Sequence, residues 1–206
     1  MKKFRTKAVA FDFDDTLYSG VNWSFWYDHC KNSVKKIIGP QPPEKQKIID
    51  EALQKEKFGD HDAIALLENF GMGQKEWVKW RTYNKAEDAY KHFEDAKAIK
   101  KEVLVKFAKN FPLYIVTNNY IDGMNMIANA LGIDLSVFKG IITATSEYPT
   151  FSKKYRYLKI CELENIKPEE LFVIGDSITD IEPAYEIGAR GKQVENCQFK
   201  FEDFDL

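Results

Sequence analysis

The 206-residue chain is 44% hydrophobic and 14% aromatic, which excludes a disordered polymer and allows one large domain or a core carrying a smaller insertion. Thirty basic and thirty-two acidic residues leave a formal charge of −2, a balance that argues against polyanion binding, so no nucleic-acid partner is expected. Three scattered cysteines without a CxxC pair, no secretory signal and no run near the ~18 apolar residues of a bilayer span give the expectation of a reduced, cytoplasmic protein with no membrane partner.

The first apolar run, "KAVAFDF" (7–13), reads as a buried strand. It ends in Asp12, Asp14 and Asp15, three carboxylates in four positions. Their repulsion costs free energy unless a cation, a retained proton or a solvated loop relieves it. Residues 18 to 97 then show helical periodicity and no strand signal. Trp23, Trp26, Tyr27, Cys30, Val34, Ile37 and Ile38 recur at three- and four-residue spacing. "GPQPP" stops that helix, and prolines head the next, "PEKQKIIDEALQKEKF". "DHDAIALLENF" and "QKEWVKWRTYNKAEDAYKHF" complete a block of about four helices. The block reads as an all-helical cap.

A helix over about 97–109 leads back to a strand at 111–117, followed by strands at 139–145 and 170–176. Helical patterns at 121–131 and 153–165 separate these three. Continuous apolarity marks strands covered on both faces, so the β-α-β alternation predicts a doubly wound α/β fold with a parallel sheet. A last helix over 180–187 ends at Gly188, a weak strand follows near "GKQVE", and the tail "FKFEDFDL" fits no single element. The expected division is a core from 1–17 and 98–206, with the cap over 18–97.

Ligands of open parallel sheets bind beyond the carboxyl ends of the strands, so the strand-terminal residues form one set. That set holds Asp12, Asp14 and Thr16, then Thr117, Asn118 and Asn119, then Asp176, Ser177, Thr179 and Asp180, with Lys153 and Lys154 opening a helix. Carboxylates with few histidines suit a hard cation such as Mg²⁺. A lysine, hydroxyls and loop N–H groups suit a phosphate beside it. Together they describe phosphoryl transfer.

In order along the chain, "DFDDTL" (12–17), "VTNN" (116–119), "SKK" (152–154) and "GDSITD" (175–180) resemble the four motifs of the haloacid dehalogenase superfamily. The resemblance covers the core and not the cap, and it implies a Rossmann-like sheet. It also implies Asp12 as a nucleophile that forms an aspartyl-phosphate, and Asp14 as the acid and base. The Mg²⁺ ligands it implies are Asp12, Asp176 and the backbone carbonyl of Asp14. Thr16, Thr117, Asn118 and Lys153 would grip phosphate, with Thr16 also hydrogen-bonded to Asp14. Lys153 is preferred to Lys154. Asp180 either orients Lys153 and the metal's water or is an acid favoured at a helix start. The chain departs from the commonest pattern at Asp15, read as a turn-former, and at Lys154, where many relatives have proline.

An acid at Asp14 is superfluous for a halide leaving group, so the resemblance implies Mg²⁺-dependent hydrolysis of a small phosphorylated metabolite. A sugar phosphomutase on the same core is the alternative; a phosphorylation-switched signalling module or non-catalytic binding module is the rival of another class. Trp23, Trp26, Tyr27, Trp77, Trp80 and Arg81 are read as cap core in preference to substrate-stacking groups. The sequence carries no signal for oligomeric state.

Overall fold

A computed structural model describes residues 5–83, 93–119, 121–143 and 152–206. In chain order these form β1 (Ala8–Phe11), β2 (Tyr18–Val21), α1 (Trp23–Ile38), α2 (Pro43–Ala52), α3 (Asp60–Glu68), α4 (Gln74–Tyr83), β3 (Phe93–Ala98) and α5 (Lys101–Asn110). Next come β4 (Leu113–Thr117), α6 (Ile121–Leu131), β5 (Gly140–Thr143), α7 (Lys154–Glu164), β6 (Leu171–Gly175), α8 (Ile178–Glu186) and β7 (Arg190–Gln193). The parallel α/β architecture expected from the apolar runs is the one observed.

Five strands form a parallel sheet in the order β5-β4-β1-β6-β7. Every residue of β1 is buried, as its position between β4 and β6 requires. From β1 the chain proceeds to β4 and β5 on one side, then crosses to β6 and β7 on the other. The winding direction therefore reverses between β1 and β6, the kind of crevice where open sheets bind ligands.

Alternation along each strand divides the core into two layers. Val9, Phe11 and Ile115 face α5, α6 and the C-terminal tail, packing with Leu104, Phe107, Met124 and Phe204. Ala8, Ala10 and Val116 face α7 and α8, packing with Tyr157, Ile160 and Ile181. A third cluster lies wholly within the inserted segment: Trp26, Cys30 and Val34 of α1 meet Ile49, Leu67 and Trp77. Cys30, Cys161 and Cys197 are all free thiols and buried. No helix among the described residues is long and apolar enough to cross a membrane.

The insertion departs from the strand-free reading. It opens on β2 and closes on β3, which pair antiparallel with Tyr18 opposite Ala98 and Ser19 opposite Lys97. Four residues with Gly20 at φ 96° and a bulge between Ser19 and Val21 are too short and irregular to show alternation. The expected helix over 97–109 accordingly begins only at Lys101. The later part of the fourth cap helix (84–92) and the end of the third core strand (144–145) lie outside the described residues. The tail resolves into a short 3₁₀ turn at Phe201–Asp203. Its aromatics pack edge-on around Phe107, whose ring lies 4.9 Å from Phe201, 5.5 Å from Phe204 and 5.2 Å from Phe11.

Phe107 thus joins β1, α5 and the tail in one aromatic cluster. Phe107→Ala is expected to destabilise the fold by about 3–5 kcal/mol. The denaturation midpoint in urea measures it; a change within error would mean the tail packs independently of the core.

Candidate active site

Asp12 directly follows β1, and its N–H donates to the carbonyl of Ile174 in β6 at 2.9 Å. That bond extends the sheet ladder by one residue and fixes where the carboxylate points. Asp12 is 6% exposed, and its Oδ1 meets the ammonium of Lys153, itself 3% exposed. The same ammonium lies 2.6 Å from Asp180 Oδ1. Lys153 is the N-cap residue of α7 and not part of its first turn. Its neighbour Lys154 faces outward to Glu186 at 3.2 Å. Of the two lysines, Lys153 is the one inside the cleft.

Asp180 combines the two roles weighed for it. Its Oδ2 accepts from the Ser177 N–H and hydroxyl, each at 3.1 Å, completing a capping box on α8, while Oδ1 holds Lys153. Gly175 makes this possible: a Cβ there would lie 2.4 Å from Asp180 Cβ. Any larger residue at the end of β6 would push Asp180 out of the cleft.

Asp12, Asp176 and Asp180 each offer a carboxylate oxygen, and these atoms lie within 4.8 Å of one another. An all-oxygen donor set of this kind fits Mg²⁺. The side chain of Asp14 is turned elsewhere. Its Oδ1 accepts from the Tyr18 hydroxyl at 2.6 Å, and Asn119 Nδ2 donates to both its oxygens at 3.2 and 3.4 Å. The Thr16 hydroxyl lies 3.5 Å from Asp176 Oδ1 and not on Asp14, the partner expected from sequence. Tyr18 occupies that place instead, because β2 returns its ring beneath the loop. Asp15 adopts φ 55°, a left-handed turn conformation that Asp tolerates.

Thr117 and Asn118 end β4 under the control of a residue the sequence reading missed. Arg156 is fully buried, and it donates through Nη1 to the Thr117 carbonyl at 2.6 Å and through Nη2 to Asn118 Oδ1 at 2.5 Å. The Thr117 hydroxyl accepts from the Asn119 N–H at 2.9 Å. The available signal was the i, i+3 spacing from Lys153, which sets both cations on one face of α7. Burial lowers the Arg156 pKa to about 10.

Burial pushes the Asp12 carboxyl well above its ordinary range; Lys153 opposes this, and Asp180, Asp14 and Asp176 add to it. Burial alone would favour neutral Lys153, but Asp12 and Asp180 outweigh it and hold the ammonium charged. The two directions agree because carboxylates outnumber cations here: Asp12, Asp14, Asp176 and Asp180 stand against Lys153 and Arg156. Burial and then Asp14 raise the Tyr18 phenol, so it remains a donor. A cavity of about 340 Å³ stands over these groups, walled on the cap side by Trp23, Trp26 and Asp60. Trp26 and Trp77 are buried in the cap core and Tyr27 and Trp80 pack against it. Trp23 is not core: it is 44% exposed, with its indole N–H on Asp15 at 3.1 Å. The Arg81 side chain lies outside the described residues.

Burial, then Asp180 and Asp15, raise the Asp176 carboxyl from 3.8 to about 6. A carboxyl raised by folding binds more protons in the folded chain, so its charge destabilises the fold increasingly as pH rises from about 4 to 6. Asp176→Asn is therefore expected to raise the melting temperature of chelator-treated protein at pH 8, with the gain shrinking toward pH 5. Calorimetry at both pH values checks it; an equal gain at each would contradict the repulsion.

The fold resembles those of known proteins. No curated protein matches the chain in sequence. A haloacid dehalogenase-like hydrolase of Streptococcus pneumoniae has 22% identity and a TM-score of 0.57, over 96% of this chain and 89% of that one. A haloacid dehalogenase family enzyme of Bacteroides thetaiotaomicron, solved with magnesium and inorganic phosphate, has 16% identity and a TM-score of 0.59, over 97% and 99%. A 2-haloacid dehalogenase of Pseudomonas syringae has 18% identity and a TM-score of 0.51, over 98% and 91%. At these identities the likeness establishes the fold. The sequence profile of the haloacid dehalogenase-like hydrolases matches residues 6–188, and the chain belongs to that family.

Proposed function

We propose that the protein is a Mg²⁺-dependent phosphatase that hydrolyses a small phosphate monoester through an aspartyl-phosphate on Asp12. The observation that carries this reading is the placement of Asp14. It stands apart from the Asp12, Asp176 and Asp180 cluster, held by Tyr18 and Asn119. A halide leaves without a proton, whereas an alkoxide requires one. A carboxyl positioned beside the nucleophile and excluded from the carboxylate cluster supplies it. This separates the reading from the dehalogenase reaction, although the fold accommodates both.

Asp12 attacks phosphorus, and Asp14 hands its proton to the departing oxygen. Asp14 then takes a proton from the water that attacks the aspartyl-phosphate. Tyr18 and Asn119 keep its carboxylate oriented across both steps. Lys153 pairs with the attacking carboxylate and offers its charge to the phosphoryl oxygens. Arg156 fixes the end of β4, where Asn118 faces the cleft while Thr117 stays buried beneath it. Mg²⁺ would be held by Asp12, Asp176 and the backbone carbonyl of Asp14, with Asp180 beside it, and it would neutralise the charge that otherwise repels a phosphate dianion.

The segment 18–97 serves as the cap over a core of 1–17 and 98–206 and favours small metabolites over macromolecules. The free buried thiols suit a reducing cytoplasm.

Phosphate release from p-nitrophenyl phosphate is expected with Mg²⁺ and lost on chelation. Asp12→Asn should abolish turnover, and wild-type rates in that variant would remove the nucleophile assignment. Asp14→Asn should slow turnover by about 10²–10⁴-fold, in both the burst and the steady state. A variant that forms the phosphoenzyme at the wild-type rate and stalls only afterwards would show that Asp14 is a base alone.

A further inference from the structure

Resting on the phosphatase reading, we infer that Arg156 is a positioning residue: it turns the Asn118 amide so that the nitrogen end, not the oxygen, meets the phosphoryl group. Asn118 lines the cleft together with Asp12, Asp14 and Lys153. A carboxamide there can present either of two opposite ends to a phosphate dianion. Its Nδ2 donates to phosphoryl oxygens, whereas its Oδ1 repels them. Arg156 decides between the two. A guanidinium has five donors and no acceptor, so the Asn118 atom that meets Nη2 at 2.5 Å is the oxygen. The nitrogen is thereby turned away from Arg156, on the side of the amide that remains for the cleft.

The same guanidinium donates through Nη1 to the Thr117 carbonyl at 2.6 Å. One rigid plane therefore grips the backbone of Thr117 and the side chain of Asn118, which holds the amide against flipping. Arg156 itself stays out of the chemistry, since it is fully buried and does not line the cleft. Lys153, at the N-cap of the same helix, supplies the cation that does. Burying a guanidinium is costly, and burial lowers the Arg156 pKa to about 10, which leaves it charged near neutral pH. A simpler view makes Arg156 only a tie between α7 and β4. The bond to the Thr117 carbonyl would suffice for that, yet the second donor goes to a side chain that borders the cleft.

The test reads phosphate affinity in two ways: KM for p-nitrophenyl phosphate, and the rise in melting temperature produced by inorganic phosphate with Mg²⁺, which needs no turnover. Asn118→Asp keeps an oxygen for Arg156 and places a second oxygen where the nitrogen stood. It should raise KM by about tenfold or more and remove most of the phosphate-induced rise. Arg156→Met should raise KM by about tenfold, more than it lowers kcat. Arg156→Lys, with a point charge in place of the fork, should fall between wild type and Arg156→Met. The decisive comparison makes Arg156→Met in an Asn118→Ala background. There its effect on KM and on the phosphate-induced rise should vanish, while its cost in melting temperature persists. If Arg156→Met does not fold, Arg156→Lys is carried through the same cycle. An equal effect in both backgrounds, or wild-type phosphate affinity in Asn118→Asp, would overturn the inference while the phosphatase reading stands. Phosphate binding without hydrolysis by the wild type would overturn the phosphatase reading alone, and no phosphate binding at all would overturn both.

Discussion

Four carboxylates, Asp12, Asp14, Asp176 and Asp180, converge beyond the ends of β1 and β6 with Lys153 as their shared counter-charge. Left in water these groups would spread apart. Here three of the four are fixed by independent devices: the sheet ladder carries Asp12, a capping box holds Asp180, and two side-chain donors hold Asp14. Gly175 supplies the space in which Asp180 approaches the end of β6. The reversal of winding between β1 and β6 is what brings Asp12 and Asp176, 164 positions apart in sequence, to one crevice. A packed parallel sheet stabilises the fold enough to tolerate this concentration of charge, and a divalent cation would relieve most of it.

Four strands of that sheet were legible because each is an apolar run, whereas the edge strand β7, "RGKQ", is polar and partly exposed and read only as a weak strand. The motif residues were legible because they sit at strand ends in a fixed order. What escaped depended on contacts between distant segments. β2 and β3 pair Tyr18 with Ala98, and neither four-residue "YSGV" nor "FEDAKA" carries an alternating pattern of its own. Arg156 lies inside "YRYLK", where a cation on a helix ordinarily reads as solvated; only the fold shows it buried under β4. Trp23 and Trp26 share a helical stripe in the sequence and both border the cleft, yet Trp26 is buried in the cap core while Trp23 is half-exposed.

The two-stranded ribbon does more than return the chain. Leu17 accepts the Ile99 N–H at 2.8 Å just before Tyr18 pairs with Ala98, so the passages into and out of the cap are tied together at the edge of the core. Tyr18 is fully buried there and packs against Phe13 with ring centroids 5.2 Å apart. Its hydroxyl is the same group that orients Asp14. One residue therefore belongs to the base of the cap and holds the carboxyl to which the proposed mechanism assigns proton transfer. Asp15 repeats the arrangement on the other side of the loop, since it turns the chain and holds Trp23 of the cap. In the proposed mechanism the acidic loop thus serves chemistry through Asp12 and Asp14, while Asp15 and Tyr18 contact the cap. Placement of the cap and orientation of Asp14 therefore meet in a stretch of seven residues, Asp12 to Tyr18.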